Sequence, residues 1–279
     1  MHVVAPVITS RKNEHVVSTA ALHEKKYRKE CERFLVEGEK LVLEAAAYGL
    51  PICELFLSES KSAALLAHLS PLFSKPPYDA VPIYTLSDDC FLKISSEKSP
   101  QGVIAVIKYL DFFKRKTIIY EEDILSFVGE RTVMLYAIQD PGNLGAVIRS
   151  AVAFGVDSIL LSADCADLYS TKTIRAAMGS LFHVRTCVVE DVPSAIHALQ
   201  QCGRGVFAAE LREGAQPLSA AVLSSRDCIL IGNEGHGIPP AISALCDGSL
   251  YLPISQNAES LNAAVAAAIF LWEQSKLSS

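Results

Sequence analysis

The stretch "IQDPGNLGAVIRSAVAFGVDSILLS" (residues 138–162) decides the fold. Pro141 and Gly142 turn the chain, the apolar residues from Leu144 to Phe154 recur at helical spacing, Gly155 ends the run, and "VDSILLS" is a short aliphatic strand. One residue does not fit this pattern. Arg149 lies among Ala146, Val147, Ile148, Ala151, Val152, Ala153 and Phe154, which leave almost no polar face for it. Either Arg149 is a paired buried ion, or it reaches into a site.

Outward from this stretch the same alternation continues. "TVMLYAIQ" precedes it as a buried strand, and "HVRTCVVE", "GRGVFAAE", "RDCILIGN" and "GSLYLPIS" follow as short apolar strands with helical segments between several of them. This is the pattern of a mostly parallel sheet with both faces covered. The last element, "SLNAAVAAAIFLWEQS", is apolar nearly all round, which predicts a helix buried on most sides. Toward the N-terminus, residues 16–31 read as one charge-rich helix. "RFLVEG", "ICELFLS", "VPIYTLS" and "GVIAVIKYL" read as strands, "EKLVLEAAAYG" as a helix, and "KSAALLAHLSPLF" as a helix broken near Pro71. The expected organisation is an α/β domain over residues 1–110, a connection over 111–130 and a larger α/β domain over 131–279.

Composition narrows the class. The 279 residues are half hydrophobic, with a formal charge of -6, so a broad basic surface is excluded while a local basic patch is not. Eight cysteines are scattered without a CxxC pair or a Cys/His cluster at zinc spacing, which points to a reduced cytoplasmic protein without a metal. The opening residues are too short in their apolar part for a signal peptide, and polar residues interrupt every later run before membrane-spanning length.

Ligands of open α/β sheets gather beyond the carboxyl ends of the strands, and three junctions there carry unusual chemistry. In "DPGNLGAVIR", Gly142 and Gly145 shape a turn, Asn143 is a candidate helix cap, and Arg149 follows six residues later. In "ILIGNEGHGIPP", Gly232, Gly235 and Gly237 let backbone approach a ligand beside the carboxylate of Glu234, but the GxxGxG spacing fails the dinucleotide fingerprint. In "LPISQNAESLNAAVA", Ser260 and Asn262 open the alanine-rich helix, Ser260 as its expected cap. Each junction alone reads as a turn or a cap. Capping does not explain why two polar groups begin so apolar a helix.

Together the three resemble the motifs of the SpoU/TrmH family of RNA ribose 2'-O-methyltransferases, of the SPOUT class. The first motif resembles Asn143, Gly145 and Arg149, the second "NEGHG" at 233–237, and the third Pro253 with "SLN" at 260–262; "RAAMGSLFHV" at 175–184 also resembles a family block. "FLVEGEKLVLEA" and "SPQGVIAV" resemble the family's N-terminal substrate-binding domain, itself similar to an RNA-binding ribosomal protein. The resemblance implies a C-terminal trefoil knot, an exception to the unknotted rule, and a homodimer with the knot domains at the interface. It implies S-adenosylmethionine bound against Gly232, Leu252, Ile254 and Leu261, with Gly235 and Gly237 shaping the loop. Catalysis would rest on Asn143, Arg149, Glu234, Ser260 and Asn262, with Arg149 acting at the partner subunit's site.

The implied substrate is RNA, ribosomal RNA favoured over tRNA, and the basic residues of "SRKN" (10–13) and "KKYRK" (25–29) are candidates for holding it. Two other classes compete: a non-catalytic RNA-binding relative, which the intact motif residues disfavour, and a dinucleotide-dependent oxidoreductase, which the missing GxGxxG disfavours.

Overall fold

The computed structural model describes residues 2–110, 126–255, 257, 258 and 260–277. The chain divides into two compact units, one of Met1–Leu110 with Tyr169–Phe182, the other of Asp111–Leu168 with His183–Ser279. Most of the expected connection, 111–125, lies outside the described residues.

In the first unit the chain forms β1 (His2–Ile8), α1 (Glu14–Ala21), α2 (Lys25–Cys31), β2 (Arg33–Glu37), α3 (Glu39–Ala47), β3 (Ile52–Ser58), α4 (Ser62–Phe73), β4 (Pro82–Leu86), α5 (Asp88–Ile94) and β5 (Val103–Lys108). The sheet order is β1-β4-β3-β5-β2. β5 runs antiparallel to both neighbours, and β1, β4 and β3 are mutually parallel. Val103 to Ile107 are buried without interruption, as a central strand covered on both faces requires. Leu35, Phe56, Leu86, Phe91, Ile94, Ile104 and Val106 share one core cluster.

Three expectations need correction here. β1 was not foreseen; it pairs only with β4 at the sheet edge, and Pro6 inside it is tolerated where one flank is unpaired. The single helix expected over 16–31 is two helices. Between them the Arg28 guanidinium donates 2.7 Å bonds to the carbonyls of Leu22 and His23, satisfying backbone groups that the break releases. Nor does α4 break at Pro71, which sits in its last turn. The Ala67 carbonyl, which Pro71 cannot serve, accepts from Ser70 Oγ at 3.1 Å instead.

In the second unit the elements are β6 (Thr132–Leu135), α6 (Pro141–Ala153), β7 (Ser158–Ser162), then, on the excursion into the first unit, α7 (Thr171–Ala177), and after it β8 (Arg185–Val189), α8 (Val192–Gln201), β9 (Val206–Ala209), β10 (Gln216–Pro217), β11 (Cys228–Ile231), α9 (Pro240–Ser243), β12 (Gly248–Tyr251) and α10 (Ala263–Ser275). All seven strands are parallel, in the order β10-β12-β9-β11-β6-β7-β8. The short edge strand β10 had no counterpart in the sequence reading. Tyr169–Phe182, assigned by the sequence reading to the second domain, packs in the first unit: Tyr169 stacks on Tyr109 at 4.0 Å and lies 4.6 Å from Phe34.

Register decides where the functional groups sit. Leu135 pairs with Ile231 and Leu161, Ile231 with Ala209, and Ala209 with Leu250, so the carboxyl ends of five strands finish along one line. At the opposite end, polar groups are consumed by structure. Arg204, 5% exposed, donates to the carbonyls of Gly129, Glu130 and Arg226, and Gln274 donates to that of Asp227.

Candidate functional site

The site begins with how α6 starts. Asp140 caps the helix by accepting from the Asn143 N–H at 2.8 Å, with Pro141 at the first helical position, where a missing N–H costs nothing. The cap is therefore Asp140 rather than Asn143, and the Asn143 side chain is released for other work. Its Nδ2 donates to Glu234 Oε1 at 3.1 Å, and its Oδ1 accepts from Asn262 Nδ2 at 3.0 Å.

α10 starts by the same logic. Asn262, not Ser260, is its cap: Oδ1 accepts from the N–H groups of Ala264 (2.9 Å) and Val265 (3.3 Å), which turns Nδ2 toward Asn143. One amide thus satisfies the helix N-terminus with its oxygen and the neighbouring Asn143 with its nitrogen.

Glu234 closes the network. Besides Asn143 it accepts from the backbone N–H of Gln139 and Asp140, each at 3.3 Å, and from Asn233 Nδ2 at 3.4 Å. Partial burial pushes its carboxyl up. The Asn143 amide and the backbone N–H donors more than offset this and hold the carboxyl below the ordinary glutamate range. The Asn233 side chain ties the loop internally, accepting from the N–H of Gly235 (2.8 Å) and His236 (2.9 Å) and donating to the Ala137 carbonyl at 2.6 Å. Asn233 and Asp140 were missed by the sequence reading, although an Asn two residues before Gly, and an Asp just before Pro-Gly at a helix start, are readable as an Asx turn and a cap.

The glycines divide. A Cβ on Gly232 would lie 2.6 Å from Ile238 Cγ1 and 2.7 Å from the Gly237 carbonyl carbon, so the loop folds back tightly on this residue. Gly237 has φ +65° and open space beside it, and beside Gly235 the nearest atom is Asn233 Oδ1 at 3.6 Å. Gly235 and Gly237 are exposed, as is Ile254, while Leu252 and Leu261 are half-buried.

Arg149 is exposed on the outer face of α6, and Ser260 is exposed as well; neither makes a hydrogen bond or ion pair among the described residues. Of the two possibilities read from the sequence, the paired buried ion is excluded. Beside Arg149 runs an open groove between α6 and α10, lined among others by Ala146, Ser150, Phe154, Val265, Ile269 and Trp272. Here too α10 departs from expectation. Its buried side is Ala263, Ala264, Ala267, Phe270 and Leu271, while Val265 (49%), Ile269 (37%) and Trp272 (50%) are open.

In the first unit the basic candidates separate. Arg28 is buried and structural, Arg11 pairs with Asp89 at 3.2 Å, and Lys26 lies near Glu30. Lys12 and Lys25 are exposed. All eight cysteines are free thiols, and burial pushes Cys228 to about 12 and Cys246 to about 11, so these two stay protonated at neutral pH. Among the described residues no cluster of His, Cys, Asp or Glu could hold a metal, and no helix is long and apolar enough to cross a membrane.

Comparison with known proteins gives these features a context. Residues 130–272 match a family profile described as the SpoU rRNA Methylase family, and residues 13–105 match an MRM3-like substrate binding domain. The chain is 34% identical over 268 residues to the 23S rRNA (guanosine(2553)-2'-O)-methyltransferase RlmP of Bacillus subtilis, covering 95% of this chain and 97% of that protein. It is 28% identical to a 23S rRNA (uridine(2479)-2'-O)-methyltransferase of Streptomyces viridochromogenes, over 95% of this chain and 90% of that one. Among solved structures, an AdoMet-bound rRNA methyltransferase from Sinorhizobium meliloti superposes with a TM-score of 0.79 at 28% identity, covering 98% of both chains.

Proposed function

The chain belongs to the SpoU rRNA methylase family, and from that membership we propose that it transfers a methyl group from S-adenosylmethionine to a ribose 2'-hydroxyl of ribosomal RNA. The observation that carries this reading is the side-chain relay Asn262–Asn143–Glu234, which joins all three motif loops at the carboxyl ends of the strands. Relatives named as 23S rRNA 2'-O-methyltransferases, and a neighbour with AdoMet bound, supply the reaction class and the methyl donor.

S-adenosylmethionine supplies a methyl group on a sulfonium, and the chain's part is to position and to exclude water. Gly232, Leu252, Ile254 and Leu261 would hold it, with Gly235 and Gly237 offering unencumbered backbone. The transfer is an in-line displacement, so placing the ribose oxygen contributes most of the acceleration. The 2'-hydroxyl would release its proton to solvent as its oxygen takes the methyl, so that the ether and thioether end neutral, a loss of charge that a dry pocket would favour. Asn143, Glu234 and Asn262 fix the loops. Arg149 grips an RNA phosphate through its forked guanidinium and stabilises the developing alkoxide. Ser260, exposed at the mouth of the third loop, hydrogen-bonds the nucleotide.

The enzyme acts as a homodimer through the groove of α6 and α10, so that Arg149 serves the partner subunit's site. What supports this is an apolar groove with Trp272 half exposed, and on the same helix α6 an Arg149 that has no partner among the described residues. A trefoil knot belongs to the same reading, supported by the match of residues 130–272 to the SpoU family. The first unit, with residues 13–105 matching a substrate binding domain, captures RNA, aided by Lys12 and Lys25. Eight free thiols accord with a cytoplasmic setting.

The test is transfer of labelled methyl to unmodified large-subunit rRNA, small-subunit rRNA and tRNA. Label confined to large-subunit rRNA, at a linkage that resists alkaline cleavage, is the expected result. Label only in tRNA, or at an alkali-labile position, would overturn the substrate or the chemistry respectively.

A further inference from the structure

The turn that carries the first motif holds an unusual residue. Ala137, directly before the Ile138–Gln139–Asp140 turn into α6, has φ +52°, in the left-handed region where a Cβ is unfavourable. It is 6% exposed and pinned from both sides: its N–H donates to Ser162 Oγ at 2.8 Å, and its carbonyl accepts from Asn233 Nδ2 at 2.6 Å. Ser162 is itself 4% exposed and ends β7, and its hydroxyl donates to Asp164 Oδ1 at 2.5 Å. That bond spends the only hydroxyl proton, so the Ser162 oxygen faces Ala137 as an acceptor.

The three residues after Ala137 give the pin its consequence. The Ile138 carbonyl accepts from the Ala166 N–H at 2.8 Å, in the same loop as Asp164. The next two N–H groups, of Gln139 and Asp140, are donors to Glu234. The left-handed residue therefore aims this pair at the carboxylate. Among the described residues the loop of Ser162 to Ala166 makes no direct bond to Glu234, Asn143 or Asn262, yet it holds the segment whose N–H groups reach Glu234.

We infer that Ser162 is a positioning residue for methyl transfer: its hydroxyl, polarised by Asp164, holds Ala137 left-handed and so registers the first motif against the second. The inference rests on the proposed reaction but is tested separately from it. Without the Ser162 acceptor, the Ala137 N–H is buried and unpaired and the strained conformation loses its support. The turn then relaxes toward a right-handed or extended conformation, and the Gln139 and Asp140 donors leave Glu234.

The experiment compares wild type, Ser162→Ala, Ser162→Thr, Ala137→Gly and the double variant Ser162→Ala/Ala137→Gly. It measures kcat and KM with unmodified rRNA transcript, S-adenosylmethionine affinity by calorimetry, melting temperature, and amide hydrogen exchange over residues 136–144. Ser162→Ala is expected to lower kcat by about 10- to 100-fold, as a displaced reactive geometry does, with little change in either KM and faster exchange confined to residues 136–144. Ser162→Thr keeps the acceptor and keeps kcat. Glycine at 137 adopts the left-handed conformation without strain, so the double variant recovers much of the lost kcat and of the protection. A purely stabilising role for Ser162 predicts a lower melting temperature and no such recovery. Unchanged exchange over residues 136–144 in Ser162→Ala, or a double variant no better than the single one, would overturn the inference. Failure of the wild type to methylate any RNA would instead defeat the proposed reaction, and the exchange data would still decide whether Ser162 positions the turn.

Discussion

Glu234 shows how one side chain is made to serve as a fixed point. Donors on Asn143 and on the backbone of Gln139 and Asp140 favour its charged form over the neutral one, despite partial burial. Because the folded pKa lies below the ordinary 4.5, the stabilisation is fully present above that value and is lost only as pH falls through the lowered one. Protection of the 233–237 amides, taken as exchange relative to its intrinsic pH-dependent rate, should therefore stay flat down to about pH 4.5 and fall only in more acid solution. Onset near neutrality would contradict the assignment. Glu234→Gln keeps one acceptor and loses the charge, and methyl transfer should fall by about 10-fold or more. Arg149 is a different kind of residue, exposed and without a partner among the described residues. Arg149→Lys should leave stability within about 0.5 kcal/mol while removing most of the activity, because an ammonium cannot make the forked contact of a guanidinium. Full activity in that variant would defeat the phosphate-gripping role. The residues of this network were legible as three motifs, since glycine spacing and polar groups at the head of an apolar helix are visible in one dimension. Their division of labour was not. Which asparagine caps and which bridges depends on the neighbour each amide meets, and the left-handed Ala137 has no signature in residue type.

At the scale of elements, α6 and the parallel strands of the second unit were readable because aliphatic runs of four or five residues between turns have few alternatives. β1 was not, since Pro6 interrupts its pattern and only an edge position forgives it. α10 was read as a helix but misread as buried. Its sequence is apolar nearly all round, yet within one chain Val265, Ile269 and Trp272 stay open, and it is the proposed homodimer that would cover them. If the proposed dimer forms through this face, replacing Trp272 and Ile269 together by glutamate should leave a monomer in sedimentation and abolish methyl transfer, with the fold intact. A dimer that persists would place the interface elsewhere. At the far end of the sheet Arg204 holds three carbonyls from a buried position, so Arg204→Ala should cost about 2–4 kcal/mol of stability. Denaturant unfolding measures that loss, and the folded fraction should retain its specific activity because this end carries none of the proposed site.

For the molecule as a whole, the two α/β units were expected from composition and alternation, but the excursion of Tyr169–Phe182 into the first unit was not. Its contacts, such as the stack of Tyr169 on Tyr109, join residues far apart in sequence, and no local pattern announces them. In the proposed function, three loops of one protomer and Arg149 of a second make one methyl-transfer site. Co-expression of two differently tagged chains, one Arg149→Ala and the other Asn262→Ala, followed by purification through both tags, isolates the mixed dimer. If the arginine acts across the interface, one of its two sites combines intact loops with an intact Arg149, and labelled-methyl transfer to rRNA should reach about half that of the wild type. If each site draws its arginine from its own chain, both sites are defective and the mixed dimer is inactive, which would contradict the account.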